Sequence, residues 1–222
     1  MARPNRTRQR VKFPSVQNVH EFDLSIASRE IFLHGDVTSE EEPGVDYRMA
    51  VRLEKNLRLL NQRGKGDILI HMHTVGGEWA DGMGMYDAIQ ASESPVIILA
   101  YAHARSMSSI ILQAVTRRVL MPSTVFMIHY GDAVCTDTTR GTITFAEQLK
   151  IETERMMDIY ALRCFKGAAF KKEEYSKIRE FLKKQIDTHQ EWFLCAHDAV
   201  YYGFADGVFG DVGFKTLAEI RK

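Results

Sequence analysis

The sequence predicts an α/β fold on a largely parallel sheet, and three patterns carry that expectation. Apolar runs of strand length alternate with amphipathic stretches at helical spacing. Gly-containing breaks separate the two kinds of segment. The composition, 45% hydrophobic and 26% charged, is that of a globular chain and excludes disordered, collagen-like and coiled-coil classes. A length of 222 residues suits one large domain with an ample core. Neither an internal repeat nor a sharp linker marks a second one.

The elements follow in order. Residues 1–28 form a basic N-terminal arm ahead of a single domain at 29–222; the first twenty residues lack periodicity. REIFLHG reads as a strand with a polar loop behind it. Val45, Met49, Leu53, Leu57 and Leu60 predict an amphipathic helix, ended by RGKG, where glycine tolerates the angles past a helix C-terminus. DILIHMH is a second strand running into TVGGEW. A helix through Trp79, Met83, Tyr86 and Ile89 precedes the strand PVIILAY. SMSSIILQAV reads as a buried helix, and RRVLM and TVFMI as two strands around Pro122. Residues 130–141 are polar and aperiodic. A long helix is expected over about 144–165, broken at Gly167, then a basic amphipathic helix with Tyr175, Ile178, Leu182 and Ile186 on one face. Trp192–Leu194, a short helix HDAVYYG and the terminal GFADGVFGD complete the chain.

The charges cancel, 29 basic against 29 acidic, but not evenly. Arg3, Arg6, Arg8, Arg10 and Lys12 fall in the first twelve residues with no acid among them, so the rest is mildly acidic. A neutral total argues against a wholly basic nucleic-acid binder. The simplest reading of the arm is a solubilising extension, and of the lysines at 171–184 a solvated helix face. Cys135, Cys164 and Cys195 are too few and too scattered for a disulfide framework or a zinc ribbon, which fits a reducing compartment. No apolar run approaches membrane-span length and no h-region follows the basic start, so a cytoplasmic protein is expected.

Phosphate-binding motifs are missing: there is no GxxxxGK[ST], and the glycines of GGEWADGMG do not form GxGxxG. Any ATP-driven step would fall to another chain. Three positions carry chemistry instead. Gly76 and Gly77 directly follow a strand, where backbone can approach a ligand and aim an N–H at it. Ser106 stands at a strand-to-helix junction beside free helix-start amides. His129 closes the strand TVFMIH. Each has an ordinary structural reading on its own: a strand-end turn, an N-cap, a packing histidine. His71 and His73 lie two apart on a strand and so share a face, yet no acidic or Cys partner has diagnostic spacing, and no metal site is expected. They read as polar residues near a site entrance.

Taken in order, these segments resemble the Clp protease proteolytic subunit family of ClpP-like serine peptidases. GGEWADGMGMYDAI resembles its double-glycine segment and following helix, ARSMSS its nucleophile motif, and PSTVFMIH its histidine motif. FLCAHDAVYYGFAD is similar to its C-terminal signature. The resemblance covers roughly residues 29–210. It implies a ClpP/crotonase-like fold of repeated β-β-α units with a protruding handle helix. It implies Ser106 as nucleophile, His129 as general base and the amides of Gly77 and Met107 as oxyanion hole, with no cofactor. The acid of the family pattern is usually Asp; here the position is Glu191, with Asp187 one helical turn earlier as a substitute.

Other departures are Thr74-Val75 before the glycines, Tyr130-Gly131-Asp132 where a proline is usual, and Ser108-Ser109 after the Ser-Met pair. The resemblance further implies heptameric rings stacked as a tetradecamer, peptide or unfolded-protein substrates, and an ATP-dependent AAA+ unfoldase, or no such partner if only short peptides are cleaved. Three other readings stand beside a peptidase: a catalytically impaired ring subunit of the same fold, a crotonase-type acyl-CoA enzyme, which has no need of the Ser–His pair, and a virus-associated maturation protease.

Overall fold

The computed structural model describes residues 16–222. Among these are eight β-strands and eight α-helices in one mixed α/β arrangement. Helix α1 (Val16–Phe22) and strand β1 (Leu24–Ser25) come first, β1 pairing antiparallel with β2 (Glu30–His34). Within the stretch expected as an arm, β1 thus adds to the sheet edge. Residues 1–15, which carry the basic cluster, lie outside the described residues.

The central sheet runs β1-β2-β3-β4-β5-β8. β2, β3 (Ile68–Thr74), β4 (Val96–Arg105), β5 (Arg117–Leu120) and β8 (Gly207–Val208) are parallel. Helices α2 (Tyr47–Gln62), α3 (Trp79–Gln90) and α4 (Met107–Ile111) form the crossovers, as parallel neighbours require. Helix α2 starts where Asp46 accepts a hydrogen bond from the Met49 amide (2.9 Å). It ends under the Arg29 guanidinium, which donates to the carbonyls of Leu60 and Gly64.

Strand β4 is longer than PVIILAY predicts, reaching Arg105, and the extension has a purpose in the fold. Its first half pairs with β5, while His103, Ala104 and Arg105 pair with β6 (Val125–Ile128). β6 in turn pairs antiparallel with β7 (Trp192–Leu194). One strand thus spans the main sheet and a smaller three-strand patch. The buried helix after it is shorter than expected: α4 has five residues and passes into a 3-10 turn over Leu112–Ala114.

Helix α5 (Thr139–Cys164) begins earlier than expected, because the Thr138 side chain accepts from the Gly141 amide and starts the helix inside the polar segment. None of its residues before Met156 is buried, so its N-terminal part projects from the body. α6 (Tyr175–His189) buries Ile178, Leu182 and Ile186, and α7 (Ala196–Tyr202) and α8 (Leu217–Ile220) close the chain. A buried Arg118 ties the C-terminal segment down through Asp206, Gln113 and the Gly203 carbonyl. Among the described residues no helix is long and apolar enough to cross a membrane.

Candidate active site

The β4–α4 junction turns sharply at Ser106, whose φ of +50° and ψ of −129° lie outside the regions side chains normally adopt. Holding a non-glycine residue there costs about 1–3 kcal/mol, so its surroundings must over-determine it. They do. The Ser106 amide donates to the Met127 carbonyl (3.0 Å) on β6. Ser108 Oγ accepts from the Arg105 amide (2.8 Å) and donates to the Arg105 carbonyl (2.7 Å). Ser109 Oγ donates to the Ser106 carbonyl (2.6 Å) and meets the Tyr160 hydroxyl of α5 (2.6 Å). Tyr160 is fully enclosed, and burial pushes its hydroxyl well above the ordinary tyrosine range. Sequence reasoning noted Ser108 and Ser109 only as a departure; their part in holding the turn, and that of Tyr160, it missed.

Gly76 and Gly77 pass directly over this turn. A Cβ at Gly76 would stand 2.7 Å from the Arg105 carbonyl and 2.8 Å from both the Met107 amide nitrogen and Ser106 Cβ. One at Gly77 would meet Val45 backbone at 2.4 Å. Both glycines have positive φ. Val45 holds them from the far side by a parallel bridge, its amide donating to the Gly76 carbonyl (2.7 Å) and its carbonyl accepting from Glu78 (3.0 Å). The bridge does not use the Gly77 amide. Met107 opens α4, so its amide is a helix-start donor without an intrahelical acceptor.

His129 follows β6 and brings Nε2 to 2.8 Å from Ser106 Oγ. Its other nitrogen, Nδ1, lies 3.9 Å from Glu191 Oε1. The β6–β7 register explains this pairing: Ile128 opposes Trp192, so one step outward His129 opposes Glu191. At 3.9 Å the contact is an ion-pair distance and longer than a hydrogen bond. The imidazole is 16% exposed and the carboxylate 49%.

Asp187 is engaged elsewhere. It accepts from Lys183 Nζ and from the Tyr130 hydroxyl, each at 2.9 Å, and these two bonds hold its carboxyl below the usual aspartate range. Of the two acids considered from sequence, Glu191 is the one beside His129. The chain reaches it through a strained corner: Gln190 has φ +59° and ψ −53°, and the Glu191 amide donates to the His189 carbonyl (2.6 Å), a γ-turn of the rarer hand.

Beside Ser106 and His129 opens a cleft of about 690 Å³. Trp79, Met107, Ile110, Leu149 and Met156 give it apolar walls, and residues 130–134 form a rim. On β3, His71 Nδ1 meets the Tyr101 hydroxyl (2.9 Å) and its ring stacks on Phe32.

Comparison with known proteins identifies the family. The family described as Clp protease matches residues 19–211. Among similar proteins, the ATP-dependent Clp protease proteolytic subunit 3 of Synechococcus sp. (strain CC9902) is 28% identical, over 77% of this chain and 78% of its own. The ATP-dependent Clp protease proteolytic subunit of Deinococcus radiodurans is 26% identical, over 74% of this chain and 76% of its own. The proteolytic subunit 1 of Streptomyces coelicolor is 27% identical, over 74% and 70%.

Proposed function

The chain belongs to the Clp protease family, and from that premise we propose that it is a serine endopeptidase, the proteolytic subunit of a self-compartmentalising protease. The observation that carries the reading is the 2.8 Å contact between Ser106 Oγ and His129 Nε2 at a strained strand-to-helix turn.

A serine hydroxyl is a weak nucleophile at neutral pH, so His129 removes its proton as Oγ attacks the peptide carbonyl. The resulting oxyanion is held by the amides of Gly77 and Met107; one such donor is typically worth about 3–4 kcal/mol. His129 then passes the proton to the leaving amine, and water repeats the sequence on the acyl-enzyme. Glu191 steadies the imidazolium. Substrate lies as an added strand paired to a sheet edge, which accepts many sequences because main chain makes most of the bonds. The apolar cleft receives a side chain next to the cut.

Assembly into stacked heptameric rings, with α5 at the ring–ring contact, would enclose these sites. The names of the relatives, each ATP-dependent, favour an AAA+ unfoldase as partner in the cytoplasm, since this chain has no P-loop of its own.

A second reading, an impaired ring subunit, draws on one observation: the acid is a half-exposed glutamate at 3.9 Å rather than within hydrogen-bond reach. Labelling with a fluorophosphonate probe separates the two. Wild type is expected to label and Ser106→Ala to remain blank; an assembled wild type that does not label would overturn the peptidase reading.

A further inference from the structure

The β3–β4 pairing slips just where it approaches the site. Met72 opposes Ala100, but two residues on, Thr74 opposes Ala104, so β4 holds two extra residues across from His73. Ala102 absorbs part of the slip with φ +53°, a conformation unfavourable to a side chain. In an unbroken ladder Tyr101 would face His73. The bulge puts His103 there instead, the two imidazoles edge to face with centroids 5.8 Å apart. Tyr101 meets His71. The two histidines of β3 therefore have different partners, and His73 meets a residue thirty positions away.

Glu42, from the loop between β2 and α2, comes to the same place. One ligand atom each from Glu42, His73 and His103 all lie within 4.8 Å of one another. Tetrahedral bonds of zinc length set ligand atoms about 3.4 Å apart, a distance small side-chain rotations would reach. Two features speak for a ligand. The Nδ1 of His103 is buried without a hydrogen-bond partner among the described residues, an uncommon state for a ring nitrogen. Glu42 is oriented by a bond that its ligating role would not break: Oε1 accepts from the Val75 amide (2.8 Å), leaving Oε2 free to turn inward.

We infer that Glu42, His73 and His103 form a binding site for one divalent transition-metal ion. Two imidazoles and one carboxylate suit zinc or cobalt rather than calcium or magnesium, which prefer all-oxygen shells. With three protein ligands, the fourth position belongs to water or an incoming group. Glu42 would then join the ion to Val75, the residue before Gly76. The site stands on its own residues and is independent of the peptidase reading.

The test uses the full-length chain, stripped of metal and titrated with Zn²⁺ by calorimetry and with Co²⁺ by visible absorption. One ion per chain is expected, with the intense visible bands of four-coordinate cobalt. His73→Ala and Glu42→Gln, both on the exposed face, should each weaken binding by about tenfold or more, while His71→Ala leaves it unchanged. Melting of the metal-free variants at the wild-type temperature establishes that they fold. Zn²⁺ binding that survives both substitutions, or no saturable binding by a folded wild type, overturns the site.

Discussion

The Ser106 side and the His129–Glu191 side of the candidate site are built by opposite means. Ser106 is enclosed: two glycines lie over it, Ser108 and Ser109 bond the carbonyls beside it, and Met127 fixes its amide. Glu191 stands half in solvent, brought opposite His129 by one step of strand register and preceded by a strained γ-turn at Gln190. The difference teaches where precision is kept. The residue proposed to form a covalent bond sits in a framework that permits one backbone path, whereas the acid's position depends on a short strand and a corner.

The comparison can be broken most forcefully at Gly76. Gly76→Ala would force a Cβ within 2.8 Å of three atoms of the turn, at a φ of +107° that suits only glycine. A loss of roughly 2–4 kcal/mol in denaturant unfolding is expected; wild-type stability would mean that the turn is far softer than described. Glu191→Ala comes next. Because its carboxylate is solvated and distant, kcat/KM on a fluorogenic peptide should fall by about 10–100-fold with stability within about 0.5 kcal/mol of wild type. A fall as deep as that of Ser106→Ala would erase the contrast between the two sides. Tyr160→Phe removes the hydroxyl that meets Ser109 and should cost about 1–2 kcal/mol, read from the unfolding midpoint. Smallest is Gln190→Gly, which relieves the positive φ and should raise stability by up to about 1 kcal/mol; a loss instead would show that the corner is held by its side chain rather than strained.

The same contrast governs what could be read from the chain beforehand. Apolar periodicity located β2 through β6 and the helices between them, though not the ends of β4 and α4, since each buries a face that its own residues define. The segments GGEWADGMG, ARSMSS and PSTVFMIH marked the positions that the structure brings together. What escaped were features that exist only between elements. Thr138 starts α5 by a local bond, but residues 130–141 are too polar to show a period. No spacing reveals that β4 runs on to serve a second sheet patch, or that a bulge at Ala102 sets His103 against His73. The resemblance put the acid at Glu191 with Asp187 as a substitute; what it did not reveal is that Asp187 bonds Lys183 and Tyr130 while the β6–β7 register sets Glu191 opposite His129.

The projecting helix has a mechanical consequence. At 1.5 Å per residue, the part of α5 ahead of Met156 extends about 25 Å beyond its first buried residue. A tilt of about 5° would sweep its tip through roughly 2 Å. Tyr160 lies one turn inside the anchored end, near the fulcrum, where displacement is least. The hydroxyl that touches the Ser106 turn thus sits near the fulcrum, where a tilt of the helix would displace the turn least.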